Sequence, residues 1–255
     1  MCPEAYRRRY VENERMPPGI AALCGKGVHA GAQANFSQKM ETYEDLHASD
    51  IVDAAVAGFD AELHGGEVSL DDDQVARGPS IVTGEARDDV AVMAKFHALE
   101  QAPEYQPIMV EQRIELELTG NNSLLAIIDL ADDTDRIVDF KTAKRSKQKS
   151  DADTSLQLTV YDVAFEAETG RKASELMLDT IVQTKKETKR QILKTTRTDR
   201  DREVLAARVD AAERLIAAGT YIPTAPGNWM CSLKWCGFAR TCPYFNAERQ
   251  EKSED

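Results

Sequence analysis

The sequence predicts an α/β protein, with a central sheet flanked by helices between a helical N-terminal region and a cysteine-rich C-terminal segment. Three observations carry this. The first hundred residues are helical by pattern, the period switches to two at residue 108, and after residue 155 helical and strand-like stretches alternate until three of the five cysteines gather in 231–242.

Pro3 sits at a first-turn position of a helix expected over 3–14, with Tyr6 and Tyr10 one turn apart on one face. Pro17-Pro18-Gly19 ends it. A second helical stretch opens at Gly25-Lys26-Gly27-Val28-His29 and runs to about His47, and a third covers 51–63. The acids Asp71, Asp72 and Asp73 fall in a predicted loop, where such a run is ordinarily solvated. Residues 86–101 are helical, and Pro103 ends them.

From residue 108, Ile108, Val110, Ile114, Leu116 and Leu118 alternate with Glu111, Arg113, Glu115 and Glu117. A turn at 119–122 leads into 124–141, where two apolar runs flank Asp132-Asp133-Thr134-Asp135 in the pattern of a β-hairpin. Three successive antiparallel strands are therefore expected. Beyond them lie a helix over 155–168 capped by Gly170, strands over 176–184 and 191–193, and a long helix over 199–218 ending at Gly219.

Each apolar run of the hairpin encloses an acid. An odd loop places Asp129 directly opposite Asp139, with Cβ atoms about 4.5–5.5 Å apart. Lys141 follows Asp139 on the same face. Two carboxylates this close repel unless a cation lies between them, and oxygens from two strands beside a lysine suit Mg²⁺ and an electrophilic phosphate. Glu111 is the best third carboxylate, with Glu115 sharing its face.

A net charge of −12 speaks against a wholly basic nucleic-acid surface. Two basic runs stand out nevertheless: Lys144, Arg145, Lys147 and Lys149 after the hairpin, and eight Lys or Arg residues within 185–202. Beside a carboxylate site they suggest a phosphate track. No apolar run approaches the ~20 residues of a membrane helix and no signal-peptide pattern opens the chain, so a soluble intracellular protein without membrane partners is expected. Cys231, Cys236 and Cys242 lie within a dozen residues, which points to metal. Cys2 or Cys24 completes a tetrahedral zinc or an iron–sulfur set.

The spacing from Asp129 to Asp139-Phe140-Lys141 resembles the D…DxK arrangement of the PD-(D/E)XK nucleases, and the chain as a whole resembles their RecB-type branch. That branch includes phage RecB-like exonucleases, CRISPR-adaptation iron–sulfur nucleases and the nuclease domain of AddB. Its GxxxH segment matches Gly25 to His29; its glutamate strand, aspartate, DxK and QxxxY fall on Glu111, Asp129, Asp139, Lys141, Gln157 and Tyr161. Its iron–sulfur members draw one cysteine from the first helix and three from the C-terminal end, here Cys2 with Cys231, Cys236 and Cys242. Two departures stand out. Ala126-Ile127-Ile128 replaces a glycine often found before the first aspartate, and the gap from Cys231 to Cys236 exceeds the commonest CxxC. Cys24 has no counterpart and reads as a small buried hydrophobe.

The resemblance implies a restriction-endonuclease-like core with a mixed sheet, spanning 1–245 as one domain: a helical region 1–104, a catalytic sheet core 105–196, a helix and cysteine segment 197–245, then a charged tail 246–255. It implies Mg²⁺- or Mn²⁺-dependent exonuclease activity in phage or bacterial DNA recombination, repair or replication. His29, Glu111, Asp129, Asp139 and the Phe140 carbonyl would hold the metal, Lys141 would orient the nucleophile, and Gln157 and Tyr161 would position the strand. A structural 4Fe-4S cluster would join the chain ends, with Zn²⁺ as the alternative. The implied partners are DNA with a single-stranded end, and recombination proteins or a second copy. The implied location is the cytoplasm of a bacterium or phage-infected host. Rival readings are a catalytically silent DNA-binding or assembly subunit and a zinc-stabilised hydrolase.

Overall fold

Small residues set how closely the first helices pack. A Cβ added to Gly31 would lie 2.7 Å from the Ile51 carbonyl oxygen, and one on Gly58 would lie 2.6 Å from the Ala30 Cβ. Helix α2 (Ile20–Thr42) therefore crosses α3 (Ala48–His64) almost backbone to backbone, which fixes the helix that carries His29. Gly25 is under no such demand, because its Cβ would meet only Thr142 Oγ1, at 3.6 Å.

The computed structural model describes residues 2–117, 123–225, 227–233 and 235–246. Helix α1 (Pro3–Tyr6) continues as a π-helical turn to Val11, short of the predicted end. Helix α2 begins at Ile20 rather than near Gly25 and stops at Thr42 because Tyr43 takes a left-handed conformation; His47 instead caps α3. The acidic stretch is not all loop: α4 (Asp72–Arg77) forms there on a capping box between Asp71 and Gln74. Helix α5 (Pro79–Phe96) starts earlier than predicted and runs through a π-helical turn to Gln101.

Five strands form one sheet in the order β1 (Pro107–Glu117), β2 (Ser123–Asp132), β3 (Arg136–Ala143), β4 (Glu175–Gln183) and β5 (Thr188–Thr195). The first three are antiparallel, as predicted; the turn expected at 119–122 lies outside the described residues. Strands β3 and β4 are parallel, joined by α6 (Lys149–Asp153), which the sequence did not suggest, and α7 (Leu156–Thr169). Strand β5 returns antiparallel, giving the mixed sheet of a PD-(D/E)XK fold. Helix α8 (Asp199–Ala217) follows on a Thr198–Asp201 capping box.

The sheet is buried on both faces. Ile114, Ala126, Ile128 and Ile137 pack under Leu158 and Phe165 of α7, while Leu130, Val138, Phe140 and Met177 face Phe36 of α2 and Tyr105. A sheet covered on both faces explains why β4 is an almost unbroken apolar run.

Candidate active site

Asp132 builds the turn that sets the hairpin register. Wholly buried, it accepts hydrogen bonds from Thr134 N, Thr134 Oγ1, Arg136 N and Arg136 Nε. With Asp135 left-handed at φ 62°, the loop is the three-residue kind that ends in an αL residue. Leu130 then pairs Val138 and Ala131 pairs Ile137. No further pair of β2 with β3 forms among the described residues, so Asp129 and Asp139 stand at the next step, where the strands part. The odd-loop expectation holds, and the fork opens the space that a flat sheet would close.

Three other elements converge on this fork. In α2, His29 Nε2 donates to the Phe140 carbonyl (2.9 Å), which leaves Nδ1 facing Glu111 Oε1 at 3.6 Å and Asp129 Oδ2 at 3.7 Å. In β1, Glu111 sits at φ +45° inside a strand, a left-handed conformation that non-glycine residues rarely hold without cause. This twist re-aims Glu111 at His29. The alternative, Glu115, accepts from Ser123 Oγ instead. In α7, Gln157 Nε2 donates to Asp139 Oδ1 (3.3 Å) and to Tyr161 Oη (2.7 Å), and Tyr161 Oη reaches Asp129 Oδ1 (3.4 Å).

Lys141 Nζ donates to Asp139 Oδ1 at 2.7 Å and stands 3.4 Å from Gln157 Oε1. Asp129 Oδ2 accepts from Phe140 N at 3.0 Å. Gln157 and Tyr161 thus turn inward, onto the acids and the lysine, rather than outward to a substrate strand.

The corner is short of positive charge. Burial and the neighbouring Asp139 hold the Asp129 carboxyl well above the usual carboxylate range. Burial pulls His29 down, but Glu111, Asp129 and the Phe140 carbonyl outweigh it and raise the imidazole's affinity for a proton. Asp139 Oδ2, on a fully buried residue, has no hydrogen-bond partner. Single ligand atoms of His29, Glu111 and Asp129 lie within 4.8 Å of one another, the one such group among the described residues. Carboxylate oxygens plus one imidazole, with a bare buried oxygen beside them, fit a Mg²⁺ or Mn²⁺ ion. The Phe140 carbonyl, expected as a ligand, here accepts from His29.

The Phe140 ring anchors this geometry from the opposite side of its strand. It stacks on Phe36 (centroids 5.6 Å apart) and meets His97 and Tyr105 edge-on at 5.5 and 5.9 Å. The middle residue of the DxK gave no such signal in the sequence.

The basic run of 185–202 does not form one stripe. Arg190 is spent on Asp179, Arg197 on the Ala152 and Ser155 carbonyls, and Arg202 on Asp162 and Glu166. Lys189, Lys194 and Arg200 pair with Glu187, Glu175 and Glu203. Lys185 and Lys186 remain exposed in the β4–β5 turn. Of the earlier run, Lys144 and Lys149 pair with Asp89 and Asp153.

Cys2, Cys231, Cys236 and Cys242 line one cavity with Arg8 and Phe238. Arg8 ties the two chain ends together, its guanidinium donating to the Phe238 carbonyl and to Thr241 Oγ1. Burial and the other three thiols raise the Cys231 pKa. Among the described residues no three of these sulfurs lie within 4.8 Å of one another, so they do not form a ready-made ion site. Cys24 is buried elsewhere, its thiol 3.8 Å from the Ala86 carbonyl. No helix is long and apolar enough to cross a membrane among the described residues.

Residues 1–243 match the family described as the PD-(D/E)XK nuclease superfamily. No curated protein matches the chain. Among solved structures it is similar to a candidate exonuclease from Eubacterium rectale, at 14% identity with 96% of this chain and 94% of that one covered and a TM-score of 0.46. It is also similar to SSO0001, at 15% identity with 85% and 97% covered and a TM-score of 0.40.

Proposed function

The chain belongs to the PD-(D/E)XK nuclease superfamily, and from that premise we propose that it is a Mg²⁺- or Mn²⁺-dependent DNA exonuclease of the RecB type. The observation that carries the metal reading is the bare, buried Asp139 Oδ2 beside the His29–Glu111–Asp129 group. A buried carboxylate oxygen without a partner costs stability unless a cation completes it. When bound, a divalent ion supplies phosphate polarisation and a more acidic water. The chain's own residues do the rest. His29 is held in one tautomer by the Phe140 carbonyl, so Nδ1 offers its lone pair to the corner. Gln157 and Tyr161 orient the two aspartates. Lys141, fixed by Asp139, places a positive charge where phosphate charge develops in the transition state.

The role assigned is processing of DNA ends in recombination, repair or replication, in the cytoplasm of a bacterium or phage-infected host. DNA with a single-stranded end is the substrate, and recombination proteins or a second copy are the partners. These assignments rest on the RecB-type motifs.

The cysteine cavity is assigned a structural 4Fe-4S cluster. A single zinc with Zn–S bonds of about 2.3 Å would draw its sulfurs to within about 4 Å of one another. A four-iron cluster binds each thiolate at a separate corner and suits wider spacing. Iron would give brown protein under anaerobic purification, lost in Cys231→Ala.

The test of the enzyme reading is Lys141→Ala. Wild-type protein should degrade DNA with Mg²⁺ or Mn²⁺, and the variant should be slower by about 10²–10³-fold with its fold and DNA binding retained. Equal cleavage by both would refute the assignment, and binding without cleavage in both would mark a silent subunit.

A further inference from the structure

The chain has two tryptophans, Trp229 and Trp235, and both are on the surface of the cysteine segment, 65% and 62% exposed. Large aromatic rings are ordinarily more covered than this. Their centroids lie 5.5 Å apart with planes at 89°, an edge-to-face pair that leaves broad ring surface open to solvent. The turn between them is pinned: Ser232 Oγ donates to the Trp229 carbonyl (3.0 Å) and Trp235 N to the Ser232 carbonyl (3.2 Å). The rings are thus presented on a short, tied loop, and little backbone freedom would be lost on binding.

The charge around them is unlike that of the rest of the chain. Between Glu213 and Glu248 there is not one Asp or Glu, in a protein with 44 acids in 255 residues. That interval carries Lys234 and Arg240, and Arg8 and Arg9 lie on the N-terminal turn that packs against it. Open aromatic faces in an acid-free, cationic setting match the recognition of unstacked bases on a polyanion. Duplex DNA hides its base faces in the stack.

We infer that Trp229 and Trp235 form a stacking platform for single-stranded DNA, separate in the chain from the carboxylate fork. This rests on the DNA-nuclease reading for its ligand, but it does not depend on catalysis. The platform would hold the unpaired strand by its bases, whatever their sequence, while the fork engages phosphate.

Because these are the only tryptophans, intrinsic fluorescence reports on the platform alone. The full chain is titrated with a single-stranded oligonucleotide in EDTA, so that nothing is cut. Quenching should saturate with binding, and a duplex of the same sequence should quench far less. Trp229→Ala with Trp235→Ala together should weaken binding by about 10–100-fold, while the two Phe replacements keep most of it. Binding without quenching, equal quenching by duplex, or unchanged affinity in a folded double-Ala variant would each overturn the inference. Should the double-Ala variant fail to fold, the wild-type quenching titration decides alone. A separate Mn²⁺ cleavage assay keeps the two readings apart: quenching without cleavage sinks the nuclease, and cleavage without quenching sinks the platform.

Discussion

Two aspartates on neighbouring strands, Asp139 in β3 and Asp179 in β4, are both completely buried, yet the protein treats them in opposite ways. Asp179 is closed. Arg190 grips it through Nε and Nη2, the latter at 2.7 Å, while Tyr105 Oη (2.8 Å) and Gln101 Nε2 (2.7 Å) fill its remaining positions. Asp139 is open. Its two donors, Lys141 and Gln157, share Oδ1, and Oδ2 has none. A buried charge that is fully paired can serve as scaffold. One left unfinished at a strand fork is poised for an ion from outside. The two networks meet at Phe140, whose ring touches Tyr105 and whose backbone serves Asp129 and His29.

Substitution at these two positions should separate chemistry from stability. Asp139→Asn should cut cleavage about 10³-fold, since several kcal/mol of charge stabilisation depend on the ion it helps hold. The metal-free protein should be no less stable, because one of two mutually repelling carboxylates is gone. Asp179→Leu should do the reverse: about 3–5 kcal/mol of stability lost in urea unfolding, because Arg190 is stranded, with cleavage retained in the fraction that stays folded. Comparable loss of stability at both positions would dissolve the contrast.

The closed network also predicts a pH response. His97, buried and bonded through Nδ1 to Gln101, is held neutral by burial, with its pKa pulled down to about 4. The unfolded chain takes up that proton near pH 6.5, so stability is full above 6.5 and is lost as pH falls towards 4. Between pH 7 and 5 this amounts to about 2 kcal/mol, which His97→Gln should abolish in urea melts at the two pH values. The smallest effect belongs to an exposed pair such as Arg77–Glu85, where Glu85→Ala should change stability by about 0–1 kcal/mol.

Much of the fork was legible because strand alternation is strict. An acid inside an apolar run marked Asp129 and Asp139, and the odd loop set them opposite each other. The same signal occurs at Asp179, within the apolar stretch of β4, and nothing local distinguishes a closed carboxylate from an open one. The difference lies in Arg190, Tyr105 and Gln101, which arrive from other elements. Choosing Glu111 over Glu115 likewise depends on one left-handed residue that alternation does not foresee. Helix limits at Ile20 and Thr42 came from packing and a left-handed cap. The basic run of 185–202 misled because charge was counted along the chain, whereas Arg190, Arg197 and Arg202 are used internally.

The central claim, that Asp139 is open because an ion completes it, is tested most directly by Mn²⁺ binding. Titration calorimetry and Mn²⁺ electron paramagnetic resonance would compare wild type, Asp139→Asn, Asp129→Asn and Asp179→Leu. Wild type should bind Mn²⁺, both fork variants should bind more than about 10-fold more weakly, and folded Asp179→Leu should bind like wild type. Absence of binding by wild type, or equal affinity in Asp139→Asn and Asp129→Asn, would contradict it.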